Sequence, residues 1–217
     1  FFRKLINSEF KYFLNNKDEI PIFGVGLSLG GTILLNACLD YNSYNSRKLL
    51  DGLACVSSPL DLISCSNCIE RPRNFLYQKW LIHRLKRQLW DGYRNEGILL
   101  QKSKLSKKIK GLKTIGEFDA EFTAPSWGFK SLKDYYYQAS PIFRIQKLIK
   151  NLPPTLLIHS KDDPWVPYEG TLNLKNSVNE SLDKLTILIT NKGGHNGFHS
   201  KDGCWSDEAV KSWLLSI

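Results

Sequence analysis

The stretch FGVGLSLGGTILLNACLDY, Phe23–Tyr41, places a serine between two apolar runs. Its first part is a short apolar segment typical of a buried strand, and the part after Gly30 predicts a helix. Ser28 therefore lies at a strand-to-helix turn, in the pattern Gly-x-Ser-x-Gly. A serine in this context takes a strained backbone conformation, and we expect Gly26 and Gly30 to relieve the crowding around it. Ser28 is thus either a nucleophile or a small residue at a tight turn.

The chain around this turn alternates between helix and strand patterns. Residues 1–15 have helical spacing, and Leu53–Val56 form the apolar centre of a second buried strand. Further along come a strand in TLLIH, a helix near Tyr168–Val178, a strand in LDKLTILIT and a closing helix in WSDEAVKSWLLSI. This order predicts one α/β domain over residues 1–217, with a mostly parallel sheet covered by helices.

The middle of the chain departs from this alternation. From Cys65 to Leu152 it is richer in Lys, Arg and aromatic residues, and helices are predicted at about Arg73–Arg94, Ser131–Ser140 and Ile142–Asn151. We interpret residues 65–152 as a helical, cap-like insertion between strands of the sheet.

The net charge of +9 is concentrated in this insertion. Arg71–Lys113 holds thirteen Lys or Arg and two acidic residues, a local balance of +11, which leaves −2 for the rest. Such a region is a solvated helical face or a surface that meets phosphates, an anionic membrane or an acidic substrate. No nucleic-acid-binding motif accompanies it, so we expect no nucleic-acid partner.

Cysteine usage and hydropathy favour a cytoplasmic protein. The five cysteines are an odd number, which suits a reducing compartment, and the CSNC pair, Cys65 to Cys68, has no second pair at ligand spacing. We therefore expect no metal site and no cofactor. No window approaches the roughly 20 apolar residues of a membrane span, and the first residues lack a signal-peptide core.

A nucleophilic serine needs a base and an acid from later in the chain. His195, in NKGGHNGFH, follows the last predicted strand in a glycine-bordered loop, and His199 is the second candidate. His159, inside a predicted strand, and His83, on the basic helix, favour core or surface roles. Asp162 and Asp163 both follow the strand TLLIH and are the candidate acids. The order serine, acid, histidine is that of α/β-hydrolases, in which the N–H after the nucleophile, here Leu29, is one oxyanion donor.

The chain resembles the YheT/ABHD-type α/β-hydrolases, a family of esterases and lipases. The resemblance rests on GVGLSLGG (24–31), EFDAEFTAPSWGF (117–129), DYYYQAS (134–140), PTLLIHSKDDPWVP (154–167) and GGHNGF (193–198). It implies an α/β-hydrolase fold, Ser28 as nucleophile and His195 as base, and Asp163 falls on the usual acid position. It also implies structural roles for Asp119, Tyr135 and Tyr136.

The implied function is hydrolysis of carboxylic esters, such as acylglycerols or medium-chain acyl esters. The basic insertion would then be a cap over the pocket that can lie near anionic lipid headgroups. An α/β-hydrolase has several strands before the nucleophile, and a loop there supplies the second oxyanion donor. Here the serine comes at position 28 and the chain has no methionine, so we expect a C-terminal portion with its N-terminal strands missing. The alternative is a truncated, inactive remnant or a binding protein.

Overall fold

The computed structural model describes residues 21–44, 49–95, 102–177, 184–201 and 203–217, and the helix predicted for residues 1–15 lies outside them. The strands are β1 (Phe23–Leu27), β2 (Gly52–Val56), β3 (Thr155–Ser160), β4 (Leu185–Thr190), β5 (His199–Ser200) and β6 (Gly203–Cys204). The α-helices are α1 (Leu29–Tyr44), α2 (Leu62–Ile69), α3 (Phe75–Asn95), α4 (Lys102–Gly111), α5 (Ile115–Phe118), α6 (Ala124–Ser126), α7 (Leu132–Ala139), α8 (Ile145–Leu148), α9 (Glu169–Ser177) and α10 (Trp205–Leu214).

The first of two compact units comprises residues 1–60, 144–163 and 168–217 and carries a parallel sheet. Within its described residues, the strand order is β1-β2-β3-β4, and every neighbouring pair is parallel. Parallel strands end at the same edge of a sheet. The segments after β1, β3 and β4, which hold the predicted site residues, therefore begin at one edge, and the predicted α/β class is confirmed.

Helices cover both faces of β2. Neighbouring side chains of a strand point to opposite faces of the sheet, and those of β2 contact a different helix on each face. Ala54 and Val56 belong to a core cluster with Val210 of α10. Cys55 points the other way, and its thiol donates to the carbonyl oxygen of Gly31 in α1. All five residues of β2 and all six of β3 are buried, as expected for inner strands of a parallel sheet.

The second unit comprises Asp61–Phe143 and Pro164–Pro167, and its described residues are helical. Its core joins side chains from α3, from α4 and the residue that follows it, from α5 and from the π-helix Asp119–Thr123, namely Ile82, Ile109, Leu112, Phe118 and Phe122. The ring of Trp165 stacks on Tyr77 of α3 with centroids 3.7 Å apart. Most of the predicted insertion, residues 65–152, lies in this unit, and its role as a cap stays a prediction.

One departure from the sequence prediction lies after residue 140. The continuous helix expected for Ile142–Asn151 consists of the single-turn helix α8 between two 3-10 turns, Pro141–Phe143 and Ile149–Asn151. Arg144 has φ −121° and ψ −29°, outside the helical range, which interrupts the hydrogen-bond pattern. Helical spacing of apolar residues alone does not reveal such an interruption.

Candidate active site

Ser28 occupies the sharp turn between β1 and α1. Its φ of 51° lies in the left-handed region, which costs a non-glycine residue about 1–3 kcal/mol. The turn is held because the Ser28 N–H donates to the carbonyl oxygen of Val56 at 2.9 Å, while the Ser28 carbonyl accepts from Gly31 N–H at 3.1 Å. Strain of this kind persists where the surrounding structure fixes the residue, and it is concentrated at functional sites.

The glycines that permit this turn are Gly26 and Gly31. A Cβ added to Gly26 would lie 2.4 Å from the Cα of Gly31, and one added to Gly31 would lie 2.0 Å from Oγ of Ser58. A Cβ on Gly30 would have no atom within 4 Å apart from its chain neighbours and the backbone of its own helix. The expectation that Gly30 relieves crowding is therefore wrong, because position 30 points into open space while position 31 packs against the loop after β2.

His195 lies in the turn that follows β4. Gly194 and Asn196, on either side of it, have φ of 59° and 61°, so the backbone folds sharply at the histidine. The turn is tied to the ends of the neighbouring strands. Ser160 Oγ donates to the Gly194 carbonyl at 2.8 Å, and Ser57 Oγ accepts from the Asn196 N–H at 3.3 Å. These contacts hold the histidine loop at the sheet edge where Ser28 lies.

The imidazole of His195 contacts both Ser28 and Asp163. Its Nε2 lies 2.9 Å from Ser28 Oγ, and its Nδ1 lies 2.9 Å from Asp163 Oδ2. The Asp163 side chain is only 1% exposed, so its carboxylate interacts with the imidazole away from bulk water. A neutral imidazole that donates from Nδ1 to the carboxylate keeps a lone pair on Nε2, which can accept the serine proton.

The two adjacent aspartates have different environments. Asp163 is buried and faces His195, whereas Asp162 is exposed and its Oδ1 accepts the Gly194 N–H at 2.8 Å. This hydrogen bond from Gly194 is the main reason that the pKa of Asp162 lies below its ordinary value. Asp162 thus contacts the backbone of the histidine loop, and Asp163 contacts the histidine ring.

A second histidine also faces Asp163. His159, in β3, is buried, and its Nε2 lies 3.8 Å from the same Oδ2 that His195 contacts. Its Nδ1 lies 3.2 Å from Thr171 Oγ1 of α9. The sequence favoured a core or surface role for His159, and it is indeed a core residue, but one beside the candidate acid. His159 lies near the end of β3, and Asp163 follows four residues later, just after the strand. This closeness in sequence is the signal that could have suggested the contact.

The other predicted residues lie as follows. His199 is exposed in β5, and the ring that contacts Ser28 is that of His195. His83 is exposed on α3. Leu29 is the first residue of α1, where backbone N–H groups have no partner inside the helix and the helix dipole favours negative charge.

In the second unit, Asp119 and Tyr136 form a buried polar network. The Tyr136 hydroxyl lies 2.9 Å from Asp119 Oδ2 and 3.1 Å from Ser66 Oγ, and Asp119 Oδ1 accepts from the Thr123 hydroxyl at 2.7 Å. Burial raises the pKa of Asp119 above its ordinary value, and burial is also the main cause of the raised pKa of Tyr136. The network connects α2, the π-helix and α7, which fits the structural role that the resemblance implies.

Two further findings concern the described residues alone. Among them, no three His, Cys, Asp or Glu side chains are grouped so as to hold a metal ion. None of their helices combines the length and the apolar character needed to cross a bilayer.

Comparison with known proteins gives a consistent set of relatives. The family described as TAP-like protein matches residues 135–216. YheT of Escherichia coli (strain K12) is 31% identical over 207 residues, 90% of this chain and 55% of that protein. Phospholipase ABHD3 of Mus musculus is 28% identical over 85% of this chain and 42% of its own length. Monoacylglycerol lipase of Saccharomyces cerevisiae is 28% identical over 97% of this chain and 43% of its own length. The chain thus spans about half the length of the curated relatives it matches.

Solved structures agree on the fold. The acetyl ester-xyloside bifunctional hydrolase from Caldicellulosiruptor lactoaceticus superimposes with a TM-score of 0.51 at 15% identity. The match covers 99% of this chain and 62% of that one. At this identity the likeness concerns the fold alone, and it confirms the α/β-hydrolase fold predicted from the sequence.

Proposed function

Because the chain belongs to the YheT/ABHD-type α/β-hydrolases, we propose that it hydrolyses carboxylic esters with Ser28 as nucleophile, His195 as base and Asp163 as acid. The observation that carries the proposal is the position of the His195 ring, 2.9 Å from both Ser28 Oγ and Asp163 Oδ2. Serine alone is a poor nucleophile, and a histidine oriented by a carboxylate removes that limitation.

In the first half of the reaction, His195 Nε2 takes the hydroxyl proton while Ser28 Oγ bonds to the ester carbonyl carbon. The negative charge then develops on the former carbonyl oxygen. The N–H of Leu29, at the start of α1, is one donor to this oxygen, and one such donor is worth about 10²–10³ in rate. The bond between the carbonyl carbon and the ester's alkoxy oxygen breaks as His195 gives its proton to that oxygen. The alcohol is released, and an acyl-Ser28 remains.

In the second half, water replaces the alcohol. His195 removes a proton from the water molecule as its oxygen attacks the acyl carbon, and the bond to Ser28 Oγ then breaks. The proton passes from His195 to the serine, which restores the starting state and releases a carboxylic acid. Asp163 stabilises the imidazolium that forms in both halves, and its burial makes that interaction stronger than it would be in water. This chemistry needs neither a metal ion nor an organic cofactor.

The proposed substrates are acylglycerols or other medium-chain acyl esters. The yeast relative named Monoacylglycerol lipase, which matches 97% of this chain, supports that class. We also propose contact with an anionic membrane surface, no nucleic-acid partner and a cytoplasmic location, the last supported by the odd number of cysteines.

The test is hydrolysis of a series of p-nitrophenyl esters from short to medium chain length, with a monoacylglycerol as the lipid substrate. Ser28→Ala and His195→Ala should each lower kcat by at least about 10³, because a triad loses its nucleophile or its base. His199→Ala is the matched control, since this exposed histidine lies in the same part of the chain. A folded wild-type chain without Ser28-dependent turnover would instead favour the alternative of an inactive remnant or a binding protein.

A further inference from the structure

Helix α3 exposes large apolar side chains at its beginning. Leu76 is 79% exposed and Trp80 is 56% exposed, and Phe75 beside them is also exposed. The buried side of this helix is formed by other residues, including Gln78 and Ile82, so Leu76 and Trp80 do not belong to the core. Exposed apolar side chains that lie together are typical of interaction surfaces.

These apolar residues continue into a line of basic ones. Leu76, Lys79, Trp80, His83, Arg84 and Arg87 are all exposed and follow the i, i+3, i+4, i+7, i+8, i+11 spacing of one helix face, which we call the 76–87 stripe. The Arg84 guanidinium lies 5.9 Å from the centre of the Trp80 ring. Arg87 Nε lies 3.9 Å from Asp91, which offsets part of its charge.

The combination of the two properties indicates what the stripe meets. Cationic side chains on a helix attract phosphate-bearing surfaces in general, but nucleic-acid phosphates offer nothing for Leu76 to bury against. At a bilayer, apolar side chains enter the boundary between headgroups and acyl chains, while Lys and Arg remain among the headgroup phosphates. Tryptophan is enriched at that same depth. Positive charge beside the apolar residues favours anionic over neutral lipids.

We propose that the 76–87 stripe docks the protein on anionic lipid bilayers, with Leu76 and Trp80 entering the headgroup boundary and Lys79 and Arg84 contacting phosphates. The proposal rests on the proposed function, since the acylglycerols proposed there as substrates are themselves lipids. Its test reads binding rather than hydrolysis, so the two can fail separately.

The experiment measures co-sedimentation of the full chain, carrying Ser28→Ala to keep the lipid intact, with phosphatidylcholine vesicles with or without phosphatidylglycerol. We expect binding only to the anionic vesicles, weakened by added salt. Lys79→Gln with Arg84→Gln should lower affinity about fivefold for each charge removed. Lys147→Gln with Lys175→Gln, two exposed lysines of the other unit, removes the same net charge and should have less effect.

The apolar half of the stripe has its own matched control. Leu76→Ser with Trp80→Ser should lower vesicle affinity at least tenfold, whereas Leu215→Ser, at a site 81% exposed on the other unit, should leave it unchanged. Circular dichroism and thermal unfolding check that each variant folds. Equal loss in both charge variants, or no loss from the Leu76 and Trp80 changes, would overturn the proposal. Tighter binding to a duplex oligonucleotide than to anionic vesicles would assign the stripe to nucleic acid instead.

Discussion

The adjacent carboxylates Asp162 and Asp163 allow a sharp test of the site, because an identical substitution at each should have different consequences. Asp163 Oδ2 lies 2.9 Å from His195 Nδ1 in a nearly dry environment. In Asp163→Asn, the amide N–H group of the new side chain can donate to Nδ1, which places the imidazole proton on Nε2. That tautomer cannot accept the Ser28 proton, so kcat should fall about 10⁴-fold.

Asp162→Asn removes charge from a different contact. Asp162 accepts the Gly194 N–H at 2.8 Å from an exposed position, and an asparagine oxygen can still accept that N–H. A hydrogen bond of this kind is worth about 1 kcal/mol, and exposure to solvent reduces the share that its charge contributes. We therefore expect kcat to change less than about tenfold in this variant.

The assay is steady-state hydrolysis of a soluble p-nitrophenyl ester by the wild type and both variants, with melting temperatures measured in parallel. Loss of kcat in Asp163→Asn should occur without a matching change in KM. If Asp162→Asn showed the larger loss while both variants remained folded, the assignment of Asp163 as the acid would be refuted.

Three further outcomes test other parts of the account. His159→Leu should lower kcat about tenfold at constant KM because it removes the imidazole 3.8 Å from Asp163, and His159→Gln, which keeps an N–H donor, should recover part of the loss in the same kinetic assay. Gly26→Ala should lower the free energy of unfolding by about 2 kcal/mol or more in urea titrations, since its Cβ would lie 2.4 Å from a backbone carbon, while Gly30→Ala should be nearly neutral. Burial raises the pKa of the Cys38 thiol from 9.0 to about 11, so native Cys38 should react slowly with iodoacetamide at pH 8. The same shift favours the protonated thiol in the folded state. The contribution of this thiol to the free energy of unfolding is therefore complete below pH 9 and declines toward pH 11. Urea titrations in which Cys38→Ala and the wild type show the same decline would contradict the shift.

The parallel sheet and the grouping of Ser28, Asp163 and His195 could be predicted from local patterns and from the order of the strands. An apolar run that ends in a glycine-flanked serine predicts a strand, a sharp turn and a helix, and β1, Ser28 and α1 follow that order. Strand polarity then predicts that residues after β3 and β4 meet near Ser28, since parallel strands end at one edge.

What the sequence did not reveal depends on contacts between distant segments. Whether position 30 or 31 must be glycine depends on Ser58, which lies in another loop and whose Oγ would meet a Cβ on Gly31. The contact between His159 and Asp163 depends on the path of the backbone after β3, which brings the aspartate back beside the histidine. The alternation of side chains along a strand does not distinguish this histidine from any other core residue.

The insertion was the hardest part to predict in detail. The sequence did not predict helix α2. The spacing of Cys65 and Cys68 fits a metal-ligand pair, but it also fits one turn of a helix, and both cysteines are buried in α2. The π-helix at Asp119–Thr123 departs from the 3.6-residue period that sequence analysis assumes.

The central claim, that Ser28 is an activated nucleophile, is tested most directly by reaction with a fluorophosphonate followed by peptide mass spectrometry. The account predicts one adduct on the peptide containing Ser28, lost in Ser28→Ala and formed much more slowly in His195→Ala. An unmodified Ser28 in the folded chain, or a labelling rate that does not depend on His195, would contradict it.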